Sequence, residues 1–223
     1  MDRIVDNFFN AGIVSQSWPM ILSGFGITVL VSVLVIVLGV TLGLVLALVR
    51  AMQVRALDVL IVAYVDFLRT MPQLVVLVLV YFGLPYAGLR LSPLATTVLG
   101  LGAVLSAFAC EIFWSSIQAL PRGQSEAALA LGFGRWCTLF EIILPQAIRM
   151  SIPLLTNRAI AVSKGVALGT AVALPEVLGQ AQSLVGILAN PSPLTMAALC
   201  YLSLFIPLVV LSRWLERTHT IAR

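Results

Sequence analysis

From Ile21 to Val49 the chain runs 29 residues without a single Asp, Glu, Lys or Arg. Roughly 20 apolar residues of helix suffice to cross the hydrocarbon core of a bilayer, so this stretch reads as a membrane span. It is too long for the core of a signal peptide, and the preceding MDRIVDNFFN has no basic n-region, so the span is expected to be retained. The rest of the chain agrees. Charged residues make up only 10% and hydrophobic ones 61%, against roughly 25% charged in a soluble domain. The net charge of +4 is not gathered into a basic run that would track a nucleic-acid backbone. Cys110, Cys137 and Cys200 are scattered, with no CxxC and no nearby histidine, and read as small packing residues rather than metal ligands.

The predicted fold is all-α: residues 1–223 form one polytopic transmembrane domain with five spans, at about 20–49, 56–84, 92–118, 150–174 and 193–212. Five spans put the termini on opposite sides. With the N-terminus outside, Arg50, Arg55, Arg122, Arg135, Arg149, Arg213, Arg217 and Arg223 fall in the cytoplasm, and Arg3 and Arg90 remain outside. The positive-inside rule therefore favours N-out, C-in. The segment from Pro175 to Pro193, nearly uncharged and with a short apolar run, is expected as an outer re-entrant or interfacial helix; a sixth span would carry the C-terminal arginines outward. No internal repeat is evident. Gly39-Val-Thr-Leu-Gly43 offers a small-xxx-small face for a closely packed helix, within the chain or between two chains.

Away from their ends, these spans hold five charged residues: Asp66, Arg69, Glu111, Arg158 and Lys164. Each is costly at mid-bilayer unless paired or wetted, so each is expected to face protein or water. Asp66 and Arg69, at i and i+3, are placed to pair beside a helix break at Met71-Pro72, and broken polar backbone at that depth also suits a transport path. Asn157 and Lys164, seven apart, share a helix face; Lys164 is within expected reach of Glu111, and Arg158 is expected to snorkel toward the cytoplasm. Asp66, Arg69, Glu111, Asn157 and Lys164 are the substrate-path candidates.

The longest cytoplasmic segment, about 121–145, contains EAALALGFGRWCTLFEIILP. Ser125 is expected as an N-cap with Glu126 opening a short helix, and Gly132 and Gly134 as a turn into a second helix that runs toward Leu144-Pro145. A helix protruding in this way is shaped to insert into something. A bare Glu-Ala-Ala carries no information, but Glu126-Ala127-Ala128, Gly132, Ile142 and Leu144-Pro145 at their spacing resemble the EAA loop of ATP-binding-cassette importer permeases. The resemblance covers about residues 20–217 and is closest to the polar amino acid uptake subfamily, of the histidine, glutamine and arginine type. It is carried by YVDFLRTMP at 64–72, YFGLP at 81–85, LSP at 91–93, GQSEAALALG at 123–132 and LPQAIR at 144–149, with Pro153, Asn157, Lys164 and Ala181-Gln182. The chain departs from that pattern at Thr70-Met71, at Gly165-Val166-Ala167, and at Trp114-Ser115-Ser116, where related permeases usually carry Arg-Gly-Gly. These departures remove hydroxyls and a charge near the expected path and bear on substrate rather than fold.

What the resemblance implies is a multi-pass permease of the bacterial inner membrane with no catalytic residues, no metal and no directly bound cofactor. ATP and Mg would sit on a partner ATPase dimer, engaged through Glu126, Ala127, Ala128, Gly132, Gly134, Leu144 and Pro145. A second permease subunit, identical or similar, would complete the path, and a periplasmic or surface-tethered binding protein would deliver the amino acid. Two other readings start from the residues alone. An ion-coupled carrier would use Asp66 and Glu111 as protonation sites. A membrane enzyme would need a nucleophile and base, and the only histidine is His219 in the basic tail.

Overall fold

The computed structural model describes residues 2–220; Arg223 and the side chains of Arg3 and His219 lie outside what is described. A short helix α1 (Asp2–Phe8) leads into α2 (Ala11–Ala51), where the Asn10 side chain caps the helix by accepting from the Ile13 N–H at 3.1 Å. α3 (Arg55–Thr70) stops where Met71, preceding Pro72, is held extended at φ −79°, ψ 134°. α4 (Gln73–Val78) then continues through a π turn (Leu79–Gly83) and a 3-10 turn (Leu84–Ala87), and this second piece is bent from α3 by 109°. The predicted span at 56–84 is therefore a broken one, with its break at the Met71-Pro72 position expected from the sequence.

α5 (Pro93–Ala119) starts with Pro93 in its first turn and the Ser92 side chain accepting from the Ala95 N–H, and ends where Leu120 precedes Pro121. The segment that follows comprises α6 (Arg122–Ala130), α7 (Arg135–Cys137) and a π turn (Thr138–Ile143). Next come α8 (Leu144–Ser163) and a 3-10 stretch (Lys164–Val172). From Arg135 to Val172 this is one continuous 38-residue helix, so the fourth span starts well before the predicted residue 150, and the loop is correspondingly shorter. Pro145 is tolerated because the π turn just before it has already shifted the backbone hydrogen-bond register. α9 (Val177–Leu188) is a short helix within the 175–193 segment where one was expected, and α10 (Ser192–Thr220) follows it. The described fold is all-helical, with four helices long and apolar enough to cross a membrane, and five spans if the bent pair counts as one.

α5 is the central element: 61% of its apolar stretch is buried, against 28% in α2 and 22% in α10. It packs on α2 through the Gly39 and Gly43 face, so that motif works within the chain. A Cβ on Gly39 would lie 2.6 Å from Leu105 Cβ, and one on Gly43 would lie 2.5 Å from Ala109 Cβ and 2.8 Å from the Ser106 carbonyl oxygen. Around this seam lie two apolar clusters. One contains Ala47, Val65, Val104, Cys110 and Phe113; the other contains Val31, Val35, Leu77, Leu101 and Val166.

Candidate functional site

The segment between α5 and α8 is built as a rigid projection. α6 begins at Arg122, directly after Pro121, which has no N–H to satisfy; Ser125 and Glu126 therefore sit in its second turn rather than at its cap. The C-terminus of α6 is closed by Gly132 in the left-handed region at φ 87°. The Phe133 N–H bonds the Ala128 carbonyl at 3.1 Å and the Gly132 N–H bonds the Leu129 carbonyl at 3.0 Å, the paired bonds of a Schellman cap. Gly134 is extended, and α7 restarts with the Thr138 N–H bonded to the Gly134 carbonyl at 2.9 Å. Gln146 Nε2 on α8 donates to Gln124 Oε1 at 2.6 Å and so ties α6 back to the long helix. Ala128 faces inward at 2% exposure, while Glu126, Ala127, Gly132, Gly134 and Pro145 are exposed and Leu144 is half-buried. Leu131, at 79% exposure, and Phe133 make the tip apolar as well as accessible.

Within the membrane-spanning part, the predicted polar residues are redistributed. Asp66 and Arg69 do not pair. Arg69 turns instead to Glu111, with Nη1 3.9 Å from Glu111 Oε2, because that carboxylate already anchors Arg50 at 3.3 Å and lies on the helix α3 packs against. Arg50 in turn holds Asp58 at 2.9 Å and lies 4.7 Å from the centre of the Trp114 ring. Lys164 does not reach Glu111; its Nζ lies over the Phe205 ring of α10 at 5.8 Å. Asn157 also meets α10, donating to Glu216 and accepting from Ser212 Oγ at 2.8 Å, so the shared face of Asn157 and Lys164 does exist and is turned to α10. Arg158 does not snorkel away. Its guanidinium lies 3.9 Å from the centre of the Phe108 ring, which Arg69 also approaches at 5.6 Å, a cation–π arrangement on α5. Asp66 is exposed and has no ion pair among the described residues. A groove of about 710 Å³ runs along α10, lined by Lys164, Tyr201, Phe205 and Arg213.

One functional candidate escaped the sequence. Glu176, the one charge in a segment read there as nearly uncharged, is 0% exposed. Its carboxyl oxygens accept from the Gly179 N–H and from Thr170 Oγ1, both at 2.8 Å, and from Tyr201 O–H, with Thr28 Oγ1 at 3.4 Å. The signal was available: a lone acid after Pro175, opening an apolar helix, is an N-cap, and an acid in such company needs partners.

No cluster of metal-binding side chains occurs among the described residues. An all-helical bundle with four or five apolar spans, a projecting loop and partly exposed ion pairs is the architecture of a multi-pass membrane protein. Comparison with known proteins agrees. The chain belongs to the family of binding-protein-dependent transport system inner membrane components, which it matches over residues 39–220. It is 35% identical over 214 residues to the probable glutamine ABC transporter permease protein GlnM of Bacillus subtilis (strain 168), covering 93% of this chain and 97% of that one. To the probable amino-acid ABC transporter permease protein YckA of the same organism it is 34% identical over 178 residues, covering 80% and 79%. Its structure is similar, with a TM-score of 0.83 and 28% identity, to a crystal structure of an amino acid ABC transporter with histidines, over 92% of this chain and 96% of that one. An inward-facing MetNI methionine ABC transporter shares the fold, with a TM-score of 0.65 at 19% identity. The protein is a permease subunit of the bacterial inner membrane and not an enzyme; ATP hydrolysis belongs to a separate subunit.

Proposed function

We propose that this permease imports polar amino acids, with α6 and its Gly132 turn as the coupling element that docks on a cytoplasmic ATPase dimer, which carries the ATP and Mg. The observation behind this reading is the projection itself: a capped helix, tied to the long α8 helix through Gln146, with Glu126 and Ala127 exposed and an apolar tip at Leu131 and Phe133. An apolar tip on a water-exposed loop calls for a protein partner. The amino acid substrate is supported by the names of the relatives, and the N-out, C-in orientation by the arginines. Asp66 and Arg158, exposed on helices at membrane depth, call for water or protein beyond this chain. A second permease subunit supplies it, and a binding protein delivers the solute on the side of α9.

Gly132→Asp tests the coupling role. A side chain at φ 87° strains the turn by about 1–2 kcal/mol and unseats the tip. The expected result is normal membrane insertion with loss of both uptake and substrate-stimulated ATP hydrolysis. Glu126→Lys, which reverses a charge on the exposed face of α6 rather than at its cap, is expected to lower ATPase copurification. Normal uptake in the first variant together with normal copurification in the second would reject the docking role. A carrier driven by ions through Asp66 and Glu111 would instead keep its uptake without the ATPase and lose it to a protonophore.

A further inference from the structure

Behind α6, on the side facing the membrane-spanning helices, lies a second cavity of about 700 Å³. Its walls come from the turn after α2, the end of α5, α6 itself, and the α7 and π-turn segment. Two arginines, Arg122 and Arg135, line it; no acidic residue does, and neither arginine has an ion-pair partner among the described residues. Trp114 and Trp136 stand at its edge, where the end of a span meets the loop, the depth at which aromatic side chains mark the headgroup region of a bilayer. The telling group is Thr138. It is only 5% exposed, it lines this cavity, and its hydroxyl has no hydrogen-bond partner among the described residues. A buried hydroxyl without a partner is costly, and this one, on a residue that borders a roomy cavity beside two uncompensated guanidiniums, is satisfied by turning toward an acceptor there that carries negative charge.

We propose that this cavity is a binding site for a phosphate anion, and that the phosphate is the headgroup of an anionic phospholipid. Arg122 and Arg135 supply charge-assisted donors to the phosphate oxygens, and Ser125 and Thr138, the latter by turning its hydroxyl toward the cavity, supply hydroxyls. Ile117, Leu139 and Ile143 provide the apolar wall along which the glycerol and upper acyl chain lie. The lipid source is favoured over a soluble phosphate compound by this mixture of cationic and apolar lining at an interfacial depth. A lipid seated there braces α6 from behind; that consequence, unlike the site itself, rests on the coupling role proposed above.

The test is native mass spectrometry of the full-length chain, purified with the subunits that accompany it, stripped of lipid and then supplied with phosphatidylglycerol or phosphatidylcholine. Phosphatidylglycerol is expected to be retained in preference. The Arg122→Gln, Arg135→Gln double variant is expected to lose about tenfold or more of that retention. Thr138→Val keeps the shape and removes the hydroxyl, and is expected to lose retention while melting at the wild-type temperature; if the double variant fails to fold, this variant decides. Equal retention of the two lipids, or retention indifferent to all three substitutions, overturns the proposal. Inorganic phosphate alone is the second arm, read by tryptophan fluorescence. A response to phosphate that Thr138→Val abolishes, with no selective lipid adduct, overturns the lipid source and leaves the phosphate site. Retention is read on the permease itself, so it stands or falls separately from coupling.

Discussion

Glu176 shows how one side chain joins distant parts of the chain. Its donors come from the 3-10 stretch (Thr170), from α9 (Gly179) and from α10 (Tyr201), with Thr28 of α2 close by, so a single carboxyl pins α9 to three other elements. Removing it leaves buried hydroxyls unpaired and uncaps α9, at a cost of about 3–5 kcal/mol. Glu176→Gln retains one acceptor oxygen, and the Tyr201 and Thr28 hydroxyls can turn to accept from its amide; about 1–2 kcal/mol is expected. Thermal melting in detergent should therefore rank wild type above Glu176→Gln and Glu176→Gln above Glu176→Ala. Equal melting of all three would show that the cluster is not holding α9. The sequence could reveal that an acid stood there but not that it was buried, since burial depends on where Thr170 and Tyr201 arrive. The same limit explains Arg69. Spacing along one helix offered Asp66, and the packing of α3 on α5 offered Glu111 already poised by Arg50, a partner that no periodicity displays.

Helix against helix, the decisive contact is the seam of α2 on α5, and neither of its two glycines has room for a methyl. At Gly39 an added Cβ would lie 2.6 Å from Leu105 Cβ, an atom fixed by the α5 backbone; at Gly43 it would lie 2.5 Å from Ala109 Cβ, 2.8 Å from the Ser106 carbonyl oxygen and 2.9 Å from the Cys110 backbone nitrogen. Gly39→Ala and Gly43→Ala are each expected to lower stability by about 1–3 kcal/mol through overpacking. Denaturation followed by circular dichroism checks this, and wild-type stability in either variant would contradict the packing described. Much of this level could be read in advance. Apolar length gave the spans, the Met71-Pro72 pair gave the break in the second, and the gap between the last two gave α9. What composition does not encode is the direction in which a chain leaves a proline. The 109° bend after α3 and the early start of the fourth span at Arg135 both arise from backbone geometry at Pro72 and around Pro145, where neighbouring helices set the exit angle.

Across the whole molecule, the proposed N-out, C-in orientation puts the two exposed turns on opposite faces of the membrane: Tyr86, at 94% exposure in the turn before α5, outside, and Leu131 at the tip of α6 inside. In a background lacking Cys137, the exposed thiol, a cysteine replacing Tyr86 should react with an impermeant maleimide on intact cells, and one replacing Leu131 only after permeabilisation. The opposite pattern would invert the orientation. The multi-pass bundle and the candidate coupling loop were legible because hydrophobic length and a spaced motif are both local properties of the chain. The groove on α10 and the cavity behind α6 were not, since each is assembled from segments brought together only by folding.

The uninterrupted helix from Arg135 to Val172 carries a mechanical implication. At about 1.5 Å per residue its 38 residues extend well beyond the roughly 30 Å of hydrocarbon they traverse. One end leaves the α6 turn, and the other stops four residues short of Glu176. On the coupling role proposed for α6, such a member acts as a push-rod: a stroke applied at the α6 end passes through the π turn at Thr138–Ile143 and the 3-10 stretch at Lys164–Val172, and reaches the carboxyl hub at the other end as displacement.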